Sequence, residues 1–148
     1  MNSVFPPSSP AQSSAVGLLP LGLGTSAEEQ ATCFFFRNYV LGDIKFINGD
    51  FQFLPEVYLN QEVGTALSQS VTSLGMAGLA HFWGASSIMS QAQAKYNAAL
   101  RLVSSLLRNI EDAKSDQTLM AVILLGLYEV CFQRLNRHLS NIPAGEYL

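Results

Sequence analysis

The chain has 148 residues, a formal net charge of −3, and 49% hydrophobic against 13% charged residues. This length fits one domain, and a charged fraction about half that of a typical soluble protein leaves apolar surface for a partner to cover. The eight basic residues are scattered singly from Arg37 to Arg137, which argues against direct binding of duplex DNA, because phosphate contacts need clustered Lys and Arg.

Residues 1–25 are rich in Ser, Pro, Ala and Gly and predict a disordered leader or linker. Ser26 and Glu29 then have the spacing of a capping box, in which each side chain accepts a hydrogen bond from the other residue's amide. The box predicts a helix that starts after Ser26 and stops at Gly42. A helical domain is therefore expected over residues 26–132, followed by a frayed tail over 133–148.

Residues 43–55 leave two alternatives open. Ile44, Phe46, Phe51 and Phe53 alternate with polar residues around an Asn-Gly pair at 48–49, which is a hairpin turn signal. An irregular loop with aromatic anchors fits the same residues, because an isolated hairpin is marginal in water.

Two amphipathic patterns follow along the chain. Residues 60–82 predict a loosely specified helix whose glycines weaken it and whose small residues Ala66, Ala77 and Ala80 let a neighbouring helix come close. Residues 87–110 predict the clearest helix, with one apolar seam. The first helix has the stripe Val63, Leu67, Val71, Leu74 and Phe82, weakened by Gly64, Gly75 and Gly78; the second has the seam Met89, Ala92, Tyr96, Ala99, Val103, Leu106 and Ile110.

The last predicted helix is apolar on every side. A tight turn over 111–114 precedes Ser115, which is placed to cap this helix, with Asp116 favourably placed near the positive N-terminus. Residues 118–132 are its apolar part. The short turn makes this helix the antiparallel partner of 87–110, and a further face should pack on 60–82 or around Phe34. The predicted fold is all-α, with antiparallel helical hairpins packed as a partial helical-repeat-like domain.

The sequence predicts no catalytic, cofactor-binding or metal-binding residue. Cys33 and Cys131 are too few for a zinc site and are expected to be buried free thiols. His81, beside Phe82 and Trp83, is expected at the core or its rim rather than as a ligand. The stretch GLGTSA at 22–27, with Asp43 downstream, fits a dinucleotide fingerprint. Pro20 would interrupt the strand that the fingerprint requires, which favours a linker.

No secretory or mitochondrial targeting segment is evident, because no basic residue precedes Arg37. The apolar run 119–128 is too short to span a membrane, which takes about 20 residues. An intracellular, soluble protein is therefore expected.

Several segments, read in order, resemble the helical regulatory region of fungal zinc-cluster transcription factors, the fungal-specific transcription factor domain. They are FFFRNYV (34–40), FLPEVY (53–58), AGLA (77–80), YNAALRLV (96–103), DAKSDQTL (112–119) and AVILLGLYE (121–129). The resemblance covers about residues 30–132 and implies an all-helical regulator that acts in the nucleus.

The resemblance also has two departures. The family's six-cysteine zinc cluster, which reads DNA, is absent. The family's regulatory region also normally continues well past a helix like the one that holds Leu125, Gly126 and Leu127, whereas this chain ends at Leu148. Neither zinc nor direct DNA binding is therefore expected, and three interpretations of the chain stay open: a fragmentary gene product, a splice form or a stand-alone relative.

The expected function is that of a transcription-regulator-related helical domain that acts through protein contacts. Its expected partner is another protein or a second copy, bound through the apolar surface of the last helix, with no membrane and no metal involved. A free-standing structural or oligomerisation protein is the alternative, and a nucleotide-dependent enzyme that uses the glycine stretch is a distant third. The location is nuclear by resemblance and otherwise cytoplasmic, and secretion is not expected.

Overall fold

The chain folds into helices in the computed structural model, which describes residues 25–41 and 51–133. Within these ranges there are helices, turns and bends and no strand, which confirms the predicted all-α class. The elements are α1 (Ala27–Phe35), a π-helical turn π1 (Phe36–Val40), α2 (Leu54–Leu59), α3 (Ala66–Trp83), α4 (Ser86–Leu106), α5 (Ile110–Ala113), α6 (Asp116–Tyr128) and a second π-helical turn π2 (Glu129–Gln133). The predicted leader and tail lie outside the described residues, apart from Thr25 and Gln133.

Two helix starts are fixed by the serines that the sequence indicates. The Glu29 amide donates to Ser26 Oγ at 3.1 Å, and the Ser26 amide donates to Glu29 Oε2 at 2.9 Å, so the capping box is confirmed. Ser115 Oγ accepts from the Thr118 amide at 3.2 Å. The cap confirms the predicted start of this helix, because α6 begins at Asp116, directly after Ser115.

The helix α3 lies at the centre of the fold and contacts α1, α4 and α6. From Ala66 to Ala80 every residue is buried except the half-buried Gln69. Two serines are accommodated there because Ser70 Oγ donates to the Ala66 carbonyl at 2.8 Å and Ser73 Oγ to the Ser70 carbonyl at 3.0 Å. Hydroxyls satisfied within their own helix do not require water, so this polar-looking helix is buried on all sides rather than along one stripe.

The predicted 60–82 helix starts too early, whereas its predicted end lies one residue from the end of α3 at Trp83. Thr65 caps α3 by accepting from the Ser68 amide at 3.3 Å. Gly64 takes a φ of +88°, a left-handed conformation that does not occur inside a regular helix but that glycine readily adopts in a turn. Val63 is therefore outside the helix and exposed. Phe82, in the last turn of α3, is exposed too, so neither residue belongs to the core stripe.

The helices α1 and α3 approach so closely that side chains are excluded at their crossing. A Cβ built on Gly75 would lie 1.9 Å from the Ala31 carbonyl oxygen, and one on Gly78 would lie 2.5 Å from Phe34 Cε1. Glycine at these positions therefore permits the contact, and the cost to helix propensity that the sequence indicates is offset by packing. Because Ala31 meets Gly75 and Phe34 meets Gly78, the two helices run in the same direction.

The helices α4 and α6 form the predicted antiparallel pair. The Tyr96 ring stacks on the Tyr128 ring with centroids 4.4 Å apart, and these residues lie at similar distances from the connection between the helices. The seam of α4 buries Ala92, Tyr96, Ala99 and Val103 and half-buries Met89 and Leu106. Ile110 was wrongly assigned to it, because α4 ends at Leu106 and Ile110 starts α5, where it is exposed. The predicted turn over 111–114 is largely this short helix.

The described part of the 43–55 segment is not a strand. Residues 51–53 form a turn and α2 begins at Leu54, with Pro55 in its first turn, where a missing amide costs no hydrogen bond. The hairpin alternative is therefore wrong for this part, whereas the buried Phe51 fits the aromatic-anchor alternative. Residues 42–50, with Ile44, Phe46 and the Asn-Gly pair, lie outside the described residues.

Candidate protein-interaction surface

Cys33 and Cys131 are both free thiols, but the prediction that both are buried was wrong. Helix α1 buries Ala31 and Phe35. A residue midway between them projects from the opposite side at 100° per residue, and Cys33 is exposed. Cys131 is half-buried in π2, and burial raises the pKa of its thiol. A higher pKa disfavours the reactive thiolate, so the surroundings of Cys131 are not those of an activated nucleophile.

The other residues weighed for chemistry do not come together. His81 is exposed in the last turn of α3, which places it at the rim of the core. Gly22, Gly24 and Asp43 lie outside the described residues. In residues 25–41 and 51–133, no group of three or more His, Cys, Asp and Glu side chains could hold a metal ion.

Two polar contacts join helices rather than form a reactive centre. Lys95 on α4 forms an ion pair with Glu28 on α1, and the Tyr96 hydroxyl donates to Glu129 at the end of α6. Burial, and next the hydrogen bond to Glu129, raise the pKa of Tyr96 far above its usual range. A phenol held in its neutral form is a hydrogen-bond donor, so this pair fixes α4 against α6.

The outer side of α6 exposes large apolar side chains. Met120, Leu124 and Tyr128 face the core. The exposed apolar residues lie on the other side of the helix at spacings of three and four, as one stripe. They are Leu119, Val122, Ile123 and, just beyond α6 in π2, Val130, and Gly126 is exposed among them.

Helix α4 exposes two further apolar side chains on its side toward α6. Its Tyr96 side meets α6, whereas its Lys95 side meets α1. Leu100 and Leu107 follow Tyr96 by four and eleven residues and so lie on the side toward α6, and both are exposed. We call the combined surface the α4–α6 face: Leu100, Leu107, Leu119, Val122, Ile123, Gly126 and Val130.

The charged residues around this face are of both signs. The seven residues of the face carry no charge. Near its α5 end lie three exposed basic and three exposed acidic side chains, none of which forms an ion pair with another described residue. They are Arg101, Arg108, Lys114, Glu111, Asp112 and Asp116. The charges near the α5 end of the face are therefore balanced.

The sequence foresaw an apolar surface on the last helix but not its boundaries. The contribution of α4 was missed, because Leu100 lies off the seam and Leu107 follows the end of α4. The sequence signal that could have indicated this contribution was the presence of Leu100 and Leu107 among the polar residues outside the seam. Among the described residues, no helix combines the length and apolarity needed to cross a membrane.

Comparison with known families gives one match. A model described as the fungal specific transcription factor domain matches residues 30–142, which include all of the α4–α6 face. Comparison with curated protein sequences and with solved structures gives no match.

Proposed function

Because the chain belongs to the fungal-specific transcription factor domain family, we propose that it regulates transcription through protein contacts made by the α4–α6 face. It does so without binding DNA itself and without catalysing a reaction, and it acts in the nucleus. Family membership supports the regulatory part of this proposal, and the exposed apolar face supports the mechanism.

The α4–α6 face is the observation that carries the proposal. Leu119 and Val130 are 56% and 58% exposed, and burying apolar area yields about 25 cal/mol per Å². Contiguous apolar patches rimmed by polar residues mark sites of protein interaction. The face is therefore suited to a protein partner.

Charge argues against DNA as that partner. The net charge is −3, and the exposed Arg101, Arg108 and Lys114 lie near as many exposed carboxylates. Association with a duplex depends on Lys and Arg that displace counterions from phosphates. A balanced rim provides little such attraction.

A reporter assay tests the proposal. The full chain is fused to a heterologous sequence-specific DNA-binding module in fungal cells that carry the matching promoter. We expect the fusion to change reporter transcription. Ile123→Glu should abolish the change, because a charge at the centre of the face must be desolvated when a partner binds.

Leu102→Glu is the matched control. Leu102 is 37% exposed and Ile123 is 38% exposed, both within helices, but Leu102 lies on the α1 side of α4. Its variant should retain the reporter response, and the melting curves of both variants should match that of the parent. If the parent fusion occupies the promoter and leaves transcription unchanged, the regulatory proposal fails. A free-standing structural protein, which the same apolar face also suits, would then be favoured.

Binding to DNA is measured separately. Electrophoretic shifts with labelled duplexes at physiological salt should show no sequence preference for the isolated chain. A specific complex at submicromolar concentration would contradict the proposal that regulation occurs through protein contacts alone.

A further inference from the structure

We propose that the α4–α6 face binds the same face of a second copy, giving a two-fold symmetric homodimer. This inference rests on the proposed function, since it names the partner of the surface described there. In such a dimer each copy contributes the same patch, which must therefore be complementary to itself.

The charges favour a second copy over a strongly acidic or basic partner. The face itself is uncharged, so two copies do not repel each other across it. Its rim offers three cations and three anions without ion-pair partners among the described residues. A partner of one predominant sign would attract half of these groups and repel the rest. A second copy presents the same balanced set, so a cation such as Arg108 can approach a carboxylate such as Asp116 of the other copy.

Gly126 provides an independent observation. Glycine destabilises a helix interior, and at Gly75 and Gly78 the closely packed α1 explains its presence. A Cβ built on Gly126 would meet no described atom within 4 Å, so packing within the described fold gives no such reason. A glycine in the middle of an exposed apolar stripe lets a second helix approach closely, which a neighbouring copy of α6 would do.

The size of the face sets the strength of the association. Helix α6 has 13 residues and is about 20 Å long at 1.5 Å per residue. Two helices packed 8–10 Å apart give a face roughly 20 Å wide. The resulting ~400 Å² is about half of what each partner buries in a standard stable complex. We therefore expect a reversible dimer with a dissociation constant on the order of 10 µM.

Sedimentation equilibrium of the full chain across about 1–300 µM tests this inference, since that range brackets the expected dissociation constant. The parent should pass from monomer to dimer, and Ile123→Glu should raise the dissociation constant at least about tenfold, which corresponds to 1.4 kcal/mol. Leu102→Glu should leave it within about twofold. Raising the salt should weaken the parent dimer moderately, because the rim charges are screened.

Gly126→Ala separates an interface effect from loss of folding. Because open space surrounds Gly126, the variant should melt at a higher temperature than the parent when it is monomeric, and yet it should dimerise several-fold more weakly. A misfolded variant would lower the melting temperature instead. Unchanged dimerisation by both Gly126→Ala and Ile123→Glu would place the contact elsewhere and overturn the inference.

The dimer and the proposed function can fail separately. The parent chain could stay monomeric up to about 300 µM while Ile123→Glu still abolishes the reporter response. That result would overturn the dimer and leave a different protein as the partner of the face. A monomer that binds no hydrophobic dye would show that the chain's own remaining residues cover the face. That result would also overturn the proposed dimer.

Discussion

Substituting Gly75 by alanine tests the closest helix contact in the fold. The added Cβ would lie 1.9 Å from the carbonyl oxygen and 2.5 Å from the carbonyl carbon of Ala31. These are backbone atoms of α1, so no side-chain rotation relieves the clash and the two helices must separate. Glycine at 75 is thus required by the position of α1, not by the conformation of α3.

Two opposing contributions determine the size of the effect. Alanine favours a helix over glycine by about 1 kcal/mol. Overpacking a core costs about 1–3 kcal/mol, and the upper end applies here because backbone has to move. We expect a net loss of about 2 kcal/mol in the free energy of unfolding, which lowers the melting temperature by roughly 4–8 °C for a chain of this size.

Two other glycines provide matched controls in the same kind of helix. At Gly78 the nearest contact is Phe34 Cε1 at 2.5 Å, the far side of a ring that can turn, so the loss should be smaller than at Gly75. At Gly126 no described atom lies within 4 Å, so alanine should raise the free energy of unfolding by about 0.5–1 kcal/mol.

Urea unfolding followed by far-UV circular dichroism measures the three variants. It is carried out at low micromolar concentration, so that the monomer is observed. The expected order of stability is Gly126→Ala, parent, Gly78→Ala and Gly75→Ala. If Gly75→Ala were as stable as the parent, α1 and α3 would not be in backbone contact at Ala31, and the arrangement of the core described above would be wrong.

Three further predictions use the same measurement. Leu74 is fully buried and Leu59 is exposed. Leu74→Ala should therefore lower the free energy of unfolding by about 2–5 kcal/mol, as truncation of buried leucines does, whereas Leu59→Ala should change it by no more than about 0.5 kcal/mol. Equal effects would contradict the burial of α3. Ser115→Ala should cost about 1 kcal/mol by removing the cap of α6, whereas Ser104→Ala, within α4, should be neutral or slightly stabilising; a neutral Ser115 variant would show that the cap is not formed. Burial raises the pKa values of Tyr39, Tyr96 and Tyr128, so above about pH 10 the unfolded chain loses phenolic protons that the folded chain retains, and stability should fall as the pH rises. A flat pH profile between about pH 9 and 11 would contradict the burial of these hydroxyls.

The sequence by itself determined the features that depend on a few neighbouring residues. The capping box at Ser26, the cap at Ser115 and the period of α4 are local, because each needs only residues within one or two turns. The all-α class and the antiparallel pairing of α4 with α6 follow from those periods and from a short connection. The ordered segments also carried enough of the family's pattern to indicate its identity.

Only the tertiary structure decided which surfaces are covered. Helix α3 contains the polar residues Ser70 and Ser73, and these are buried because α1, α4 and α6 pack around the helix. The apolar pattern of α6 indicated no preferred side, because nearly every residue in it could be core. Because α3 and α4 pack against one side of α6, Leu124 is buried in the core and Ile123 lies at the surface. Burial is decided by neighbours distant in sequence, and for that reason a single helix cannot specify which of its apolar sides is left exposed.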